Sequence, residues 1–183
     1  MPKSLPADIP PDETGLDWGC VFCKTGSENI LAEQLKEIAG IREAFAVQQV
    51  QHRSERGVRS EIVKIMLPGY VFFLADGTLK PHLLYQNDSV LRLLTYGEAW
   101  ALRGGDLDFA RWMHRHGGLL GLSRAYRVGQ RVTIASGPLK ELEGVIQKVD
   151  RRNRNGLVLI EFCGKQIKVW LAFDYISEEP SLE

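Results

Sequence analysis

Three groups of residues in this chain have types and spacings that bear on chemistry. Cys20 and Cys23 form a C-x-x-C pair, the spacing that serves zinc binding or thiol redox chemistry. Their setting opposes both. Trp18 to Cys23, WGCVFC, reads as a buried strand, and residues three apart on a strand point to opposite faces. No second ligand pair accompanies them, so the residues read as small buried hydrophobes. His114 and His116 stand in H-x-H spacing and read as solvated residues at a helix end. The third group is cationic: Arg151, Arg152 and Arg154 share one predicted turn, RRNRNG. A guanidinium donates paired hydrogen bonds to phosphate oxygens, so bunched arginines suit a polyanion. Lys140, Lys148, Lys165 and Lys168 lie in the same segment. The competing reading is a solvated turn that keeps an edge strand soluble.

Catalysis has no visible foothold. The chain contains no G-x-x-x-x-G-K-[ST] phosphate loop, no G-x-S-x-G elbow and no H-E-x-x-H helix. Gly117, Gly118 and Gly121 cluster without a preceding strand, which gives them no nucleotide role. The expectation is a protein that is not an enzyme and needs no cofactor or metal.

Composition adds a polarity along the chain. The total is 23 Lys and Arg against 23 Asp and Glu, so bulk charge announces no partner. From Arg124 to Trp170, however, ten Lys and Arg face four Asp and Glu, while residues 1–121 hold thirteen against fifteen. A basic rear and an acidic-leaning front point to different partners for the two halves. No apolar run reaches the ~20 residues of a membrane span. The first 15 residues, polar and proline-rich, read as a disordered leader rather than a signal peptide. Three cysteines fit a reducing cytoplasm.

The elements that would position these groups follow from periodicity. Trp18–Cys23 is a strand; Ser27 opens a helix with Leu31, Leu35 and Ile38 on one face, closed by Gly40. Phe45–Val50 is a second strand, and Gln51–Glu61, QHRSERGVRSE, reads as a charged hairpin tip. Ile62–Met66 returns to the core. Leu67-Pro68-Gly69-Tyr70 then bends the chain into Val71–Leu74, apolar throughout and so a central strand. A short helix at Leu79–Tyr85, a strand at Val90–Tyr96 and a helix at Leu107–Arg115, capped by Asp106, complete an α+β sandwich. HGGLLGLS, residues 116–123, reads as a flexible separator. Beyond it, alternation at Val128, Arg131, Val132, Thr133 and Ile134 makes a strand, and Ser136-Gly137-Pro138 a turn. Glu143-Gly144 leads to a strand at Val145–Val149, Asn155-Gly156 signals a hairpin, and strands follow at Leu157–Phe162 and Gln166–Leu171. Such spacing predicts a small, strongly bent sheet or barrel. The expected divisions are leader 1–15, first domain 16–115, linker 116–124 and second domain 125–178.

The stretch VGQRVTIASGPLKELEGVIQKVD resembles a KOW motif, a small β-barrel module. Preceded by a sheet ending in Leu67-Pro68-Gly69-Tyr70-Val71, it is similar to the NusG family of transcription elongation factors, with an N-terminal NGN α/β sandwich and a KOW barrel. Gly26, Ser27 and Glu28 keep the family's turn, while Gly19 departs from its usual tyrosine. GLSRAYRVGQRVTIASGPLKELEGVIQKVDRRNR most resembles the LoaP branch of specialised antiterminators. The resemblance implies a cytoplasmic monomer with no membrane attachment. Phe22, Leu67, Pro68 and Tyr70 would grip the clamp helices of the largest RNA polymerase subunit. Lys140, Lys148, Arg151, Arg152, Arg154 and Lys165 would meet nucleic acid, a nascent RNA leader in that branch. In the general factor the barrel would instead meet ribosomal protein S10 or Rho. A ribosome-associated adaptor without RNA specificity is the remaining alternative.

Overall fold

The computed structural model describes residues 15–129, 131–142 and 145–176. In chain order the first elements are β1 (Leu16–Cys23), α1 (Glu28–Leu35), β2 (Ile41–Ala46), β3 (Gln48–Glu55), β4 (Val58–Ile65) and β5 (Tyr70–Asp76). A 3-10 helix (Pro81–Gln86), β6 (Val90–Leu93), α2 (Gly104–Arg115) and β7 (Leu119–Leu120) follow. The last are β8 (Ser123–Val128), β9 (Arg131–Ser136), α3 (Pro138–Glu141), β10 (Ile146–Asp150), β11 (Asn155–Phe162) and β12 (Lys165–Tyr175). The described residues fall into two compact units, one of 15–48 and 65–118, the other of 49–64 and 119–176. Among them no helix is long and apolar enough to cross a membrane.

The first unit is a four-stranded sheet, β2-β5-β1-β6, with helices on both faces. Val71 to Ala75 of β5 are all buried, as a central strand covered on two sides must be. On one face α1 and the 3-10 helix close over Val21, Phe73 and Ile41 with Leu31, Leu35 and Leu84. On the other, α2 brings Phe109 to 5.7 Å from the Phe72 ring and buries Trp112 and Met113. Gly19 pairs with Phe73, whose ring would lie 2.2 Å from any Cβ there. Any side chain at this position would therefore displace the Phe73 ring.

Several elements differ from the sequence expectation. The charged hairpin expected after Val50 is present, but its strands run farther into it than expected: β3 and β4 are extended, and the chain reverses at Arg56 (φ 48°) and Gly57 (φ 80°). Most β4 side chains are exposed, so no buried face imprints an alternation on the sequence. The helix expected from Leu79 starts at Pro81, a residue preset for a first helical position. Helix α2 starts two residues before Asp106, whose carboxylate accepts the Tyr96 hydroxyl instead of capping. Leu119 and Leu120, read as part of a separator, form β7 beside β3 in a three-stranded sheet β4-β3-β7.

The second unit's larger sheet runs β10-β11-β12-β8-β9. Strand β12 pairs antiparallel with β11 from Lys165 to Ala172, then parallel with β8 from Phe173 to Tyr175. The expected closed barrel is not formed: among the described residues β9 and β10 remain the two edges of a curled, open sheet. The physical reason lies between them. Pro138–Glu141 coils into α3, and Leu139 and Leu142 fill the interior where a closing ladder would run. The Leu139 amide donates to Ser123 Oγ at 2.9 Å. The expected turn at Ser136-Gly137-Pro138 is present, with Gly137 at φ 90°. The one at Asn155-Gly156 is not: Asn155 opens β11 opposite Asp150, and the reversal is Arg151–Arg154. Gly156 serves close approach instead, since a Cβ there would meet Leu139 Cδ2 at 2.8 Å. The expected Glu143-Gly144 lead-in lies outside the described residues.

Candidate functional site

The four-residue reversal between β10 and β11 is organised by one carboxylate. Asp150 accepts the Arg152 and Asn153 amides at 3.0 and 2.9 Å and the Asn153 side-chain amide at 2.8 Å. These Asn153 and Arg152 bonds, with Lys148 nearby, hold its carboxyl below the usual carboxylate range, so it is ionised at neutral pH. The frame leaves Arg151 and Arg152 exposed at the turn. Arg154 behaves differently. It takes φ 56°, and its Nη1 lies 2.9 Å from Asp174 Oδ1. Its guanidinium also lies over the Tyr175 ring, 5.3 Å from the centroid, as does that of Arg127 at 5.1 Å. Arg154 thus braces the unit rather than joining its two neighbours.

Register places the lysines. Lys148 pairs with Leu157, and Leu157 with Trp170, so these three side chains share one face across β10, β11 and β12. Lys168, two residues before Trp170, lies on the same face. Lys165 sits at the turn end of the β11–β12 hairpin, five residues along β12 from Trp170, roughly 17 Å at a rise of about 3.3 Å per residue. Lys140 is exposed on α3. Five of the predicted cations therefore split into a patch at Lys148, Arg151 and Arg152, and outlying Lys140 and Lys165.

In the first unit, Phe22 pairs with Tyr70 and their rings are 5.2 Å apart. Both are half-buried, Pro68 is exposed and Leu67 is 5% exposed. Leu67 therefore belongs to the core, while Phe22, Tyr70 and Pro68 are available to a partner. Exposed Arg92 pairs with Phe22 on the adjoining strand. Glu28 fixes the bend: its two carboxylate oxygens accept the Gly69 amide at 2.8 Å and the Gly26 amide at 2.7 Å.

No protein-family model matches the chain, and no curated protein does. Among solved structures it is similar to NusG of Thermotoga maritima ("Domain interaction in Thermotoga maritima NusG"), with a TM-score of 0.47 and 18% identity, over 86% of this chain and 93% of that one.

The other candidate groups take structural positions. Cys23 packs with Val21 in the α1-side core, which Cys20 does not join. Burial, with Glu28 nearby, pushes the Cys23 thiol up to about 11. Among the described residues no group of three or more His, Cys, Asp or Glu could hold a metal. The histidines lie at the helix end as expected: His114 is exposed in the last turn of α2, its Nε2 2.6 Å from Glu43 Oε2 and its ring 5.0 Å from Trp18, while His116, the C-cap, is half-buried and edge-on to Trp112. The amphipathic face of α2 carries them onto the aromatic side of the sheet. Sequence reasoning missed Glu28's link to Gly69 and the position of Trp170. The signal for Trp170 was present: Ile167, Val169 and Leu171 alternate inward, which sends Lys168 and Trp170 outward.

Proposed function

We propose that this chain is a transcription elongation factor of the NusG type, acting as an antiterminator in the manner of the LoaP branch. The first unit docks on the clamp helices of RNA polymerase through Phe22, Pro68 and Tyr70. The second unit binds a nascent RNA leader through Lys148, Arg151 and Arg152. The observation that carries the reading is the Phe22–Tyr70 ring pair beside the exposed Pro68 bend. Two apolar faces held half-open by a rigid turn suit a helical partner, and Glu28 supplies that rigidity without covering the rings. The resemblance of the Leu67–Val71 stretch and of the KOW-like segment adds the transcriptional context. Neither contact calls for bond chemistry. A factor bridging the polymerase would slow pausing and termination by holding the clamp closed, and two tethered weak sites gain from effective concentration.

In vitro transcription through an intrinsic terminator tests this, with and without an upstream leader RNA. Readthrough that rises only when the leader is present supports the specialised reading. Readthrough independent of the leader, with binding to S10 or Rho, places the chain with general factors. No effect on polymerase in either template sinks the proposal.

A further inference from the structure

The face that carries Lys148 and Lys168 also carries features that phosphate binding does not explain. Trp170 is 37% exposed on an otherwise regular strand. Beside it opens a cavity of about 340 Å³, lined by Trp170, Asp150, Asn153, Asn155, Gln51 and His52, all within the second unit. That volume sits at the low end for small-ligand sites. Asp150 would repel a phosphate, so the cavity is set against the group its surroundings attract. It suits instead a neutral, flat ligand with its own donors and acceptors. An indole face stacks on any nucleobase. Carboxamides and a carboxylate match the amino and imino edges that distinguish one base from another. Among the described residues, no hydrogen bond occupies the side-chain amides of Gln51 and Asn155.

His52 adds an independent sign. Its side chain is 8% exposed, its Nε2 lies 3.2 Å from the Phe173 carbonyl and 3.3 Å from Asp174 Oδ1, and its Nδ1 is buried without a partner. A buried ring nitrogen left unmet in a residue that lines a cavity is uncommon in a structural role.

We infer that Trp170 and this cavity form a binding site for one unpaired nucleobase of RNA. The indole stacks the base, Asn155 and Gln51 read its edge, and Lys148 and Lys168 hold the flanking phosphates. The inference rests on the RNA-binding reading of the second unit and deepens it: the site selects looped or single-stranded RNA over a duplex.

Fluorescence anisotropy on the full chain tests it, using labelled oligoadenylate, oligouridylate and a blunt RNA duplex as probes. Trp170→Ala is expected to weaken single-strand binding about tenfold or more, the scale of one stacked base, and to leave duplex binding unchanged. Trp170→Phe, which keeps a stacking ring, should retain most of the affinity and controls for misfolding. Asn155→Ala should alter the ratio of oligoadenylate to oligouridylate affinity. Equal loss on single strand and duplex, or no loss with Trp170→Ala, overturns the base site while leaving RNA binding intact. Failure of all three RNAs to bind the unsubstituted chain removes the RNA reading itself, and the base site with it.

Discussion

Glu28 shows how far one side chain can reach into the candidate docking surface. It is 2% exposed, and its carboxylate is matched by two backbone amides, from Gly26 and Gly69, rather than by a cation. Removing it would leave the buried Gly69 amide without an acceptor and free the exposed Gly26 amide to water. Glu28→Ala is therefore expected to destabilise the first unit by about 1–3 kcal/mol, read from the midpoint of urea unfolding. Glu28→Gln keeps one oxygen and should lose less; equal midpoints for all three proteins would contradict this role. Cys23 gives a pH signature. Its thiol loses a proton near 9.0 when exposed but only at about 11 in the fold. Between those values the unfolded chain binds fewer protons than the folded one, so stability falls as pH rises through that window. Cys23→Ala should flatten the decline between pH 9 and 11, measured by thermal melts across that range.

At the scale of the element, Gly137 sets the entry to α3. Its φ of 90° is left-handed, and a Cβ there would lie 2.7 Å from Ser123 Cα. Gly137→Ala is expected to destabilise the second unit by roughly 1–3 kcal/mol, read as a lowered melting temperature; an unchanged melt would show that the β9–α3 corner can relax. That corner was legible in the sequence because glycine followed by proline leaves the backbone few options. So was β5, whose continuous apolar run has no other use than burial on two faces. The β3–β4 arm was legible as a charged hairpin but not in the length of its strands, because its side chains are mostly solvated and carry no period. Open closure of the second sheet was equally hidden. It depends on whether Leu139 enters the interior as part of a helix or a strand, which four residues of sequence do not decide. The base cavity was half visible: alternation predicts an outward Trp170, but the approach of Gln51 and His52, over a hundred residues earlier, is a tertiary fact.

The whole molecule keeps its two candidate surfaces on different units, and so predicts separable losses. Phe22→Ala combined with Tyr70→Ala should lower polymerase affinity and leave RNA affinity intact. Arg151→Ala combined with Arg152→Ala should do the reverse and reduce the log–log salt slope of RNA binding by about 0.7 per arginine. Arg154 is left out because its loss would also free Asp174 and uncover Tyr175. If either double variant impaired both partners equally, the two surfaces would not be independent. Strand β12 has a further consequence for how this chain is made. It is synthesised after β8, β9, β10 and β11, yet β11 and β8 both pair with it. The β8–β9 and β10–β11 hairpins must therefore wait, each with one unmet edge, until Tyr175 has emerged. Stalled nascent chains released only to Gly164 should be cut by protease throughout the rear half, whereas those extended past Tyr175 should resist. For that interval the first unit could be complete while the second remained two unlatched hairpins.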